Sequence, residues 1–316
     1  MLQKKKINRW WVVFAAILIQ LCLGTLYAWS VFTVPLREAG WTIGQTQGVF
    51  SLSNASLAIC MLIAGNLIPR FGPQVLTIVG GVILGLGYIL GGVFGGTDYY
   101  SLLFCIGLLG GGGIGMVYVV PIAVGMKWFP DKKGIITGLA VAGLGFGSLF
   151  WIELADDCGY LLETQGLSNT FIIYGILFIT FILFGSRWMN FPPEGWSPEG
   201  WDSSQGVKNM KGSKVPELTS REMLLTPEFY KIFFAFTCAA SVGLMCIGLM
   251  KLFPIEALME NGFTVVEARS ISGLAMAIFF SLANGTGRIV WGSISDRYGS
   301  KPTLTFMLIL QGFTVI

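Results

Sequence analysis

The chain has 316 residues, of which 54% are hydrophobic and 12% charged, with a net charge of +3; an average soluble domain carries roughly a quarter charged residues. That balance excludes a water-soluble globular protein, and 43 glycines without a triplet period beside 24 phenylalanines exclude a fibrous or solvated disordered chain. The absence of histidine removes imidazole acid–base chemistry, histidine metal ligation and every Ser-His or Cys-His nucleophile pair.

A bilayer core of about 30 Å needs about 20 apolar residues of helix. Eight runs reach that scale, at 10–34, 49–68, 75–94, 101–124, 134–151, 169–186, 229–250 and 271–292. Lys231 stands at the edge of the seventh and Arg288 lies inside the eighth; the others carry no charge. A ninth run begins near Thr303 and reaches Ile316 after 14 residues, so the chain is expected to end within a ninth helix. The first run follows a basic start and lacks a small-x-small cleavage site, which makes it a retained helix rather than a signal peptide. Lys and Arg number sixteen on one side of the alternating loops and three on the other (Arg37, Lys251, Arg269), which predicts an integral protein of the cell or inner membrane with a cytoplasmic N-terminus.

The six cysteines (Cys22, Cys60, Cys105, Cys158, Cys238, Cys246) form no CxxC, and all but Cys158 lie in apolar runs, where a thiol acts as a small hydrophobe. No metal, cofactor or nucleic acid partner is expected, and no enzyme activity. Residues 187–228 form the long polar stretch, with PPEGW (192–196) followed by SPEGW (197–201). Its Pro/Gly content suits a linker, and Thr226 with Pro227 offers an N-cap and a first-turn proline for the next helix. The organisation expected is a six-helix bundle over 1–190, a cytoplasmic linker over 191–228 and an incomplete C-terminal bundle over 229–316.

After the second run the chain reads GNLIPRFG (65–72), and after the eighth GSISDRYG (292–299), with Gly, Arg and Gly at matching spacing. This match implies a six-plus-six parallel duplication. The first glycine is expected to let helices approach and the second to make a tight turn. Pro69 stands where the second copy has Asp296. A carboxylate there can cap a neighbouring helix N-terminus, so the N-terminal copy is expected to latch more weakly. Glycines at 107, 111 and 115, at 87, 91 and 95, and at 143 and 147 predict close helix packing, since they lie in apolar runs without a P-loop ending.

A cation inside a span costs between about 2.5 and more than 10 kcal/mol, depending on the reference state. Arg288 therefore either snorkels to the nearer edge, eight residues away at Asp296, or faces an aqueous cavity where its planar fork can meet a carboxylate. The polar, small turn of Asn284, Gly285 and Thr286 favours the cavity. Tyr27, Asn54 and Tyr118 are further candidates to line it, while Lys251 and Glu153 at helix ends read as interfacial. The eight runs contain no Asp, Glu or His, and an arginine does not release its proton. An empty site holding an unneutralised arginine resists closure, which predicts anion exchange rather than uniport.

Four stretches, GTLYAWSVF (24–32), MVYVVPIAVGMKWFPDKKG (116–134), TPEF (226–229) and NGTGRIVWGSISDRYG (284–299), resemble the oxalate/formate antiporter family of the major facilitator superfamily. The resemblance implies an all-α polytopic fold of six-plus-six helices, present here through the start of the ninth. It also implies that Arg288 binds substrate carboxylate and that Tyr27 and Tyr118 belong to an aromatic cage. The family's second cation, a lysine on the eleventh helix, lies beyond this sequence. The substrate-binding candidates are thus Arg288, Tyr27, Tyr118, Asn54 and Asn284, and the expected function is secondary transport of small carboxylates. A non-transporting solute sensor, or a proton-coupled monocarboxylate symporter, is the alternative.

Overall fold

The computed structural model describes residues 8–155, 159–193, 196–198, 218, 220–249 and 252–315. Lys4, Lys5, Lys6, Cys158, Lys208, Lys211, Lys214, Lys251 and the end of the second pentapeptide, including Trp201, lie outside the described residues. Every regular element among the described residues is helical. Among the described residues eight helices are long and apolar enough to cross a membrane: α1 (Trp10–Glu38), α2 (Ile43–Phe71), α3 (Pro73–Gly95), α4 (Tyr99–Trp128), α5 (Lys133–Ala155), α6 (Leu161–Ser186), α7 (Pro227–Met245) and α8 (Val265–Tyr298). A short helix, Leu252–Glu260, precedes α8, and α9 (Ser300–Val315) follows it.

The helix ends carry the duplication further than the Gly-Arg-Gly match. Gly72 closes α2 at φ 81°, ψ 159°, and Gly299 closes α8 at φ 90°, ψ 155°. Each donates its N–H to a carbonyl four residues back, Ile68 and Ser295, at 2.9 Å. Both sit in a region of positive φ that L side chains rarely adopt. The starts match as well. Gln45 returns its side chain to the Thr42 N–H at 2.8 Å, and Glu267 does the same to Thr264 at 3.0 Å, while each threonine hydroxyl accepts from the third residue on. These reciprocal caps satisfy N–H groups that a helix start leaves open. Asp98 caps α4 by accepting from the Ser101 N–H at 2.8 Å, and that bond holds its carboxyl below the ordinary range.

α1 packs against α4, α5 and α6, α2 against α4, and α3 against α4 and α6. The glycines act as expected in these contacts. A Cβ on Gly111 or Gly115 would lie 2.3 Å from the Ser53 or Leu57 carbonyl oxygen of α2, and one on Gly147 would lie 2.3 Å from that of Leu21 in α1. The expectation of close approach holds for Gly292 but not for Gly65, whose added Cβ meets nothing within 4 Å among the described residues. α6 extends further than its apolar run and turns at Gly166 (φ 73°, ψ 174°). An aromatic cluster fills the bundle: Phe32, Phe171, Tyr174 and Trp151 are fully buried, and the Tyr174 hydroxyl donates to the Trp151 carbonyl.

The described residues just after α6, through Trp196, pack against α4. The Trp196 ring lies edge-on to Trp128 at 4.8 Å, the Trp128 indole donates to the Asn190 carbonyl at 2.7 Å, and Lys127 sits 3.8 Å above the Phe191 ring. The aromatic side chains among the prolines and glycines supply the apolar area that the backbone composition alone does not reveal.

Gly115→Leu is expected to destabilise the bundle by at least about 1–3 kcal/mol through overpacking, read as a lower melting temperature in detergent. Gly44→Ala, whose added Cβ meets nothing nearer than 3.8 Å, is expected to leave it unchanged.

Candidate functional site

α8 approaches α5 along a seam of main-chain contacts. A Cβ on Gly138 would lie 2.6 Å from the Arg288 carbonyl oxygen, one on Gly145 2.7 Å from the Gly285 nitrogen, and one on Gly292 2.5 Å from the Gly134 carbonyl oxygen. The seam is closed at one end by Asp296, whose two carboxylate oxygens accept from the Gly134 and Ile135 N–H groups at 2.9 Å each. This is the helix cap expected for the second copy of the repeat, set on the positive end of α5. Further along, the buried Ser148 and Ser281 hydroxyls bond at 2.7 Å.

The Arg288 side chain reaches back one turn along α8, away from the Asp296 end. The guanidinium is half-buried, with Nε donating to Asn284 Oδ1 at 2.8 Å and Nη2 donating to the Tyr27 hydroxyl at 3.3 Å. Tyr118 and Arg288 line a cleft of about 680 Å³ between α4, α5 and α8. Both orienting partners are neutral, and Arg288 forms no ion pair among the described residues. A guanidinium has five N–H donors; Asn284 and Tyr27 engage two of them and the Tyr118 side chain hydrogen-bonds to the same group, so donors are still left for a ligand.

Four of the five candidates meet at Arg288: Tyr118 lines the cleft with it, and Asn284 and Tyr27 hydrogen-bond to its guanidinium. Asn54 stands apart: it lies on α2, its amide donates to the Phe50 carbonyl one turn back at 2.9 Å, and it does not line the cleft. The lining residues beyond the sequence candidates include Lys133 and Thr137, one turn apart on α5. The KWFPDKKG stretch carries Lys133, but its relation to Arg288 depends on the α5–α8 seam, which a pattern within one helix does not reveal. Lys133 adds a second cation to the same cleft.

Eight helices long and apolar enough to cross a bilayer, a duplicated helix pair and a cleft between α4, α5 and α8 that holds Arg288 define a polytopic membrane protein. Residues 9–316 match the Major Facilitator Superfamily, and the chain belongs to that family. It is 30% identical over 305 residues to the uncharacterised MFS-type transporter YhjX of Escherichia coli (strain K12), covering 96% of this chain and 70% of that protein. It is 26% identical over 300 residues to the oxalate:formate antiporter of Oxalobacter formigenes, covering 94% and 66%. It is 26% identical over 216 residues to monocarboxylate transporter 9 of Pongo abelii, covering 66% and 42%. The chain thus spans about two thirds of the length of the first two relatives.

Removing the cap should loosen the seam. A cap residue is worth about 0.5–2 kcal/mol, so Asp296→Ala is expected to speed thiol labelling of a Thr137→Cys reporter in the cleft by about two- to thirtyfold. Equal labelling rates would show that the cap does not hold the seam.

Proposed function

We propose that this protein is a secondary transporter that exchanges small organic anions, carboxylates of the oxalate, formate or monocarboxylate kind, by alternating access. The observation that carries this reading is a half-buried Arg288 held by neutral groups, Asn284, Tyr27 and Tyr118, and facing a cleft. An isolated buried charge costs several kcal/mol, and a bound carboxylate offsets that cost. Closure is therefore easier with ligand than without, which couples return of the carrier to a second anion. Two relatives, an oxalate:formate antiporter and a monocarboxylate transporter, support the same substrate class.

In this reading 1–190 is the N-terminal bundle, 191–228 the connection and 229–316 belongs to the C-terminal bundle. The distribution of basic residues supports a cytoplasmic position for the Asp296 cap, which joins α5 and α8. Tyr27 and Tyr118 form the aromatic wall, and Asn284 fixes the guanidinium plane.

The test is exchange of labelled oxalate, formate and pyruvate in proteoliposomes. Arg288→Gln is expected to lower exchange at least about 30-fold, since losing one partner of a desolvated charge pair costs about 2–5 kcal/mol. Release of label that is equally fast with and without external anion would reject exchange, and saturable binding without flux would favour a sensor. Asn284→Asp places a carboxylate where an amide oxygen now lies 2.8 Å from Arg288 Nε. It should compete with the substrate and raise KM several-fold.

A further inference from the structure

Gln20 is a fully buried carboxamide on an otherwise apolar stretch of α1. Its Nε2 donates to the Tyr118 main-chain carbonyl of α4 at 3.2 Å, and its Oε1 has no hydrogen-bond partner among the described residues. A buried amide with half its capacity unmet is costly in an apolar span, so its presence calls for a reason beyond filling space.

The turn it grips supplies one. Pro121 stands inside α4, three residues after Tyr118. It has no N–H to offer the Val117 carbonyl, and its ring crowds that carbonyl, so the helix is weakened at the turn that carries Tyr118. An external donor on the adjacent carbonyl holds that turn in place. The amide is itself confined, because α5 comes so near that a Cβ on Gly143 would lie 3.0 Å from Gln20 Cβ. Gln20 and Tyr27 are seven residues apart on α1, two turns of one face. That face thus reaches the Tyr118 backbone with one residue and Arg288 with the other.

We propose that Gln20 is a positioning residue: its carboxamide clamps the proline-weakened turn of α4 and so aims Tyr118 at the anion held by Arg288. This rests on the carboxylate-exchange reading above. The alternative is that Gln20 only glues α1 to α4 and influences stability alone.

The experiment measures KM and kcat for labelled oxalate exchange by this protein in proteoliposomes, for wild type, Gln20→Met, Tyr118→Phe and the double variant. Gln20→Met keeps the side-chain length without the donor. It is expected to raise KM about three- to tenfold, with a smaller change in kcat and an unchanged melting temperature. On the Tyr118→Phe background the same substitution is expected to add no further KM change, since coupled residues are non-additive. Should Gln20→Met not be recovered folded, Gln20→Asn, one methylene too short to keep the bond, is expected to shift KM in the same direction. Effects that multiply in the double variant, or a KM equal to wild type in both Gln20 variants, overturn the positioning role while exchange itself stands. No exchange by wild-type protein overturns both readings.

Discussion

The main chains of α5 and α8 touch, and the placement of Arg288 follows from that contact. Any side chain larger than hydrogen at Gly134, Gly138, Gly145, Gly285 or Gly292 meets atoms of the facing region closer than 3.0 Å. Rotamer changes cannot relieve the contacts that are backbone on both sides. Where helices lie this close, dispersion and local polar contacts hold them, because lipid provides no hydrophobic drive between apolar helices. The seam therefore fixes the height of Arg288 relative to α5 and α4 before any side-chain bond forms. The Asn284 and Tyr27 bonds then choose one direction for a guanidinium already held in position.

Charge is divided along α8 in a way that keeps this guanidinium open. Asp296 lies eight residues from Arg288 on the same helix, about 12 Å along its axis. Its carboxylate is committed to the start of α5. A carboxylate in place of Asn284 would neutralise Arg288 permanently and leave a mobile anion little to gain. With an amide there, orientation comes without neutralisation, and electrostatic complementarity is left to the ligand.

Much of this was legible in the sequence because its signals are local. Span length, loop charge and the Gly-Arg-Gly spacing each depend on residues close in the chain, and they identified an all-helical duplicated membrane fold. Asp296 was legible as a cap because one copy of the repeat differs from the other at a single position. The capping boxes at Thr42 and Thr264 were present in the sequence but hidden by unlike neighbours, Ile43-Gly44 against Val265-Val266. Asn54 and Gln20 show the limit. Both are amides on apolar helices, yet one bonds within its own helix and the other bridges to α4. Only the packing partner separates them. The docking of Trp196 on Trp128 was hidden for the same reason, since 68 residues separate two rings that meet at 4.8 Å.

The face of α1 that carries Gln20, Gly24 and Tyr27 connects these parts. Gln20 bonds to α4, a Cβ on Gly24 would lie 2.6 Å from Gly147 Cα of α5, and Tyr27 bonds to Arg288 of α8. The first two contacts lie within the bundle formed by α1 to α6, whereas the third crosses to α8. If α8 rocks against that bundle, the Tyr27 bond and the α5–α8 seam change while the α1–α4 and α1–α5 contacts stay. Tyr118 and Tyr27 then remain a preformed half-site, and Arg288 moves relative to it. Because a typical net hydrogen bond is worth about 1 kcal/mol, a bound carboxylate can outweigh the Tyr27 bond and couple the motion of α8 to occupancy of the cleft.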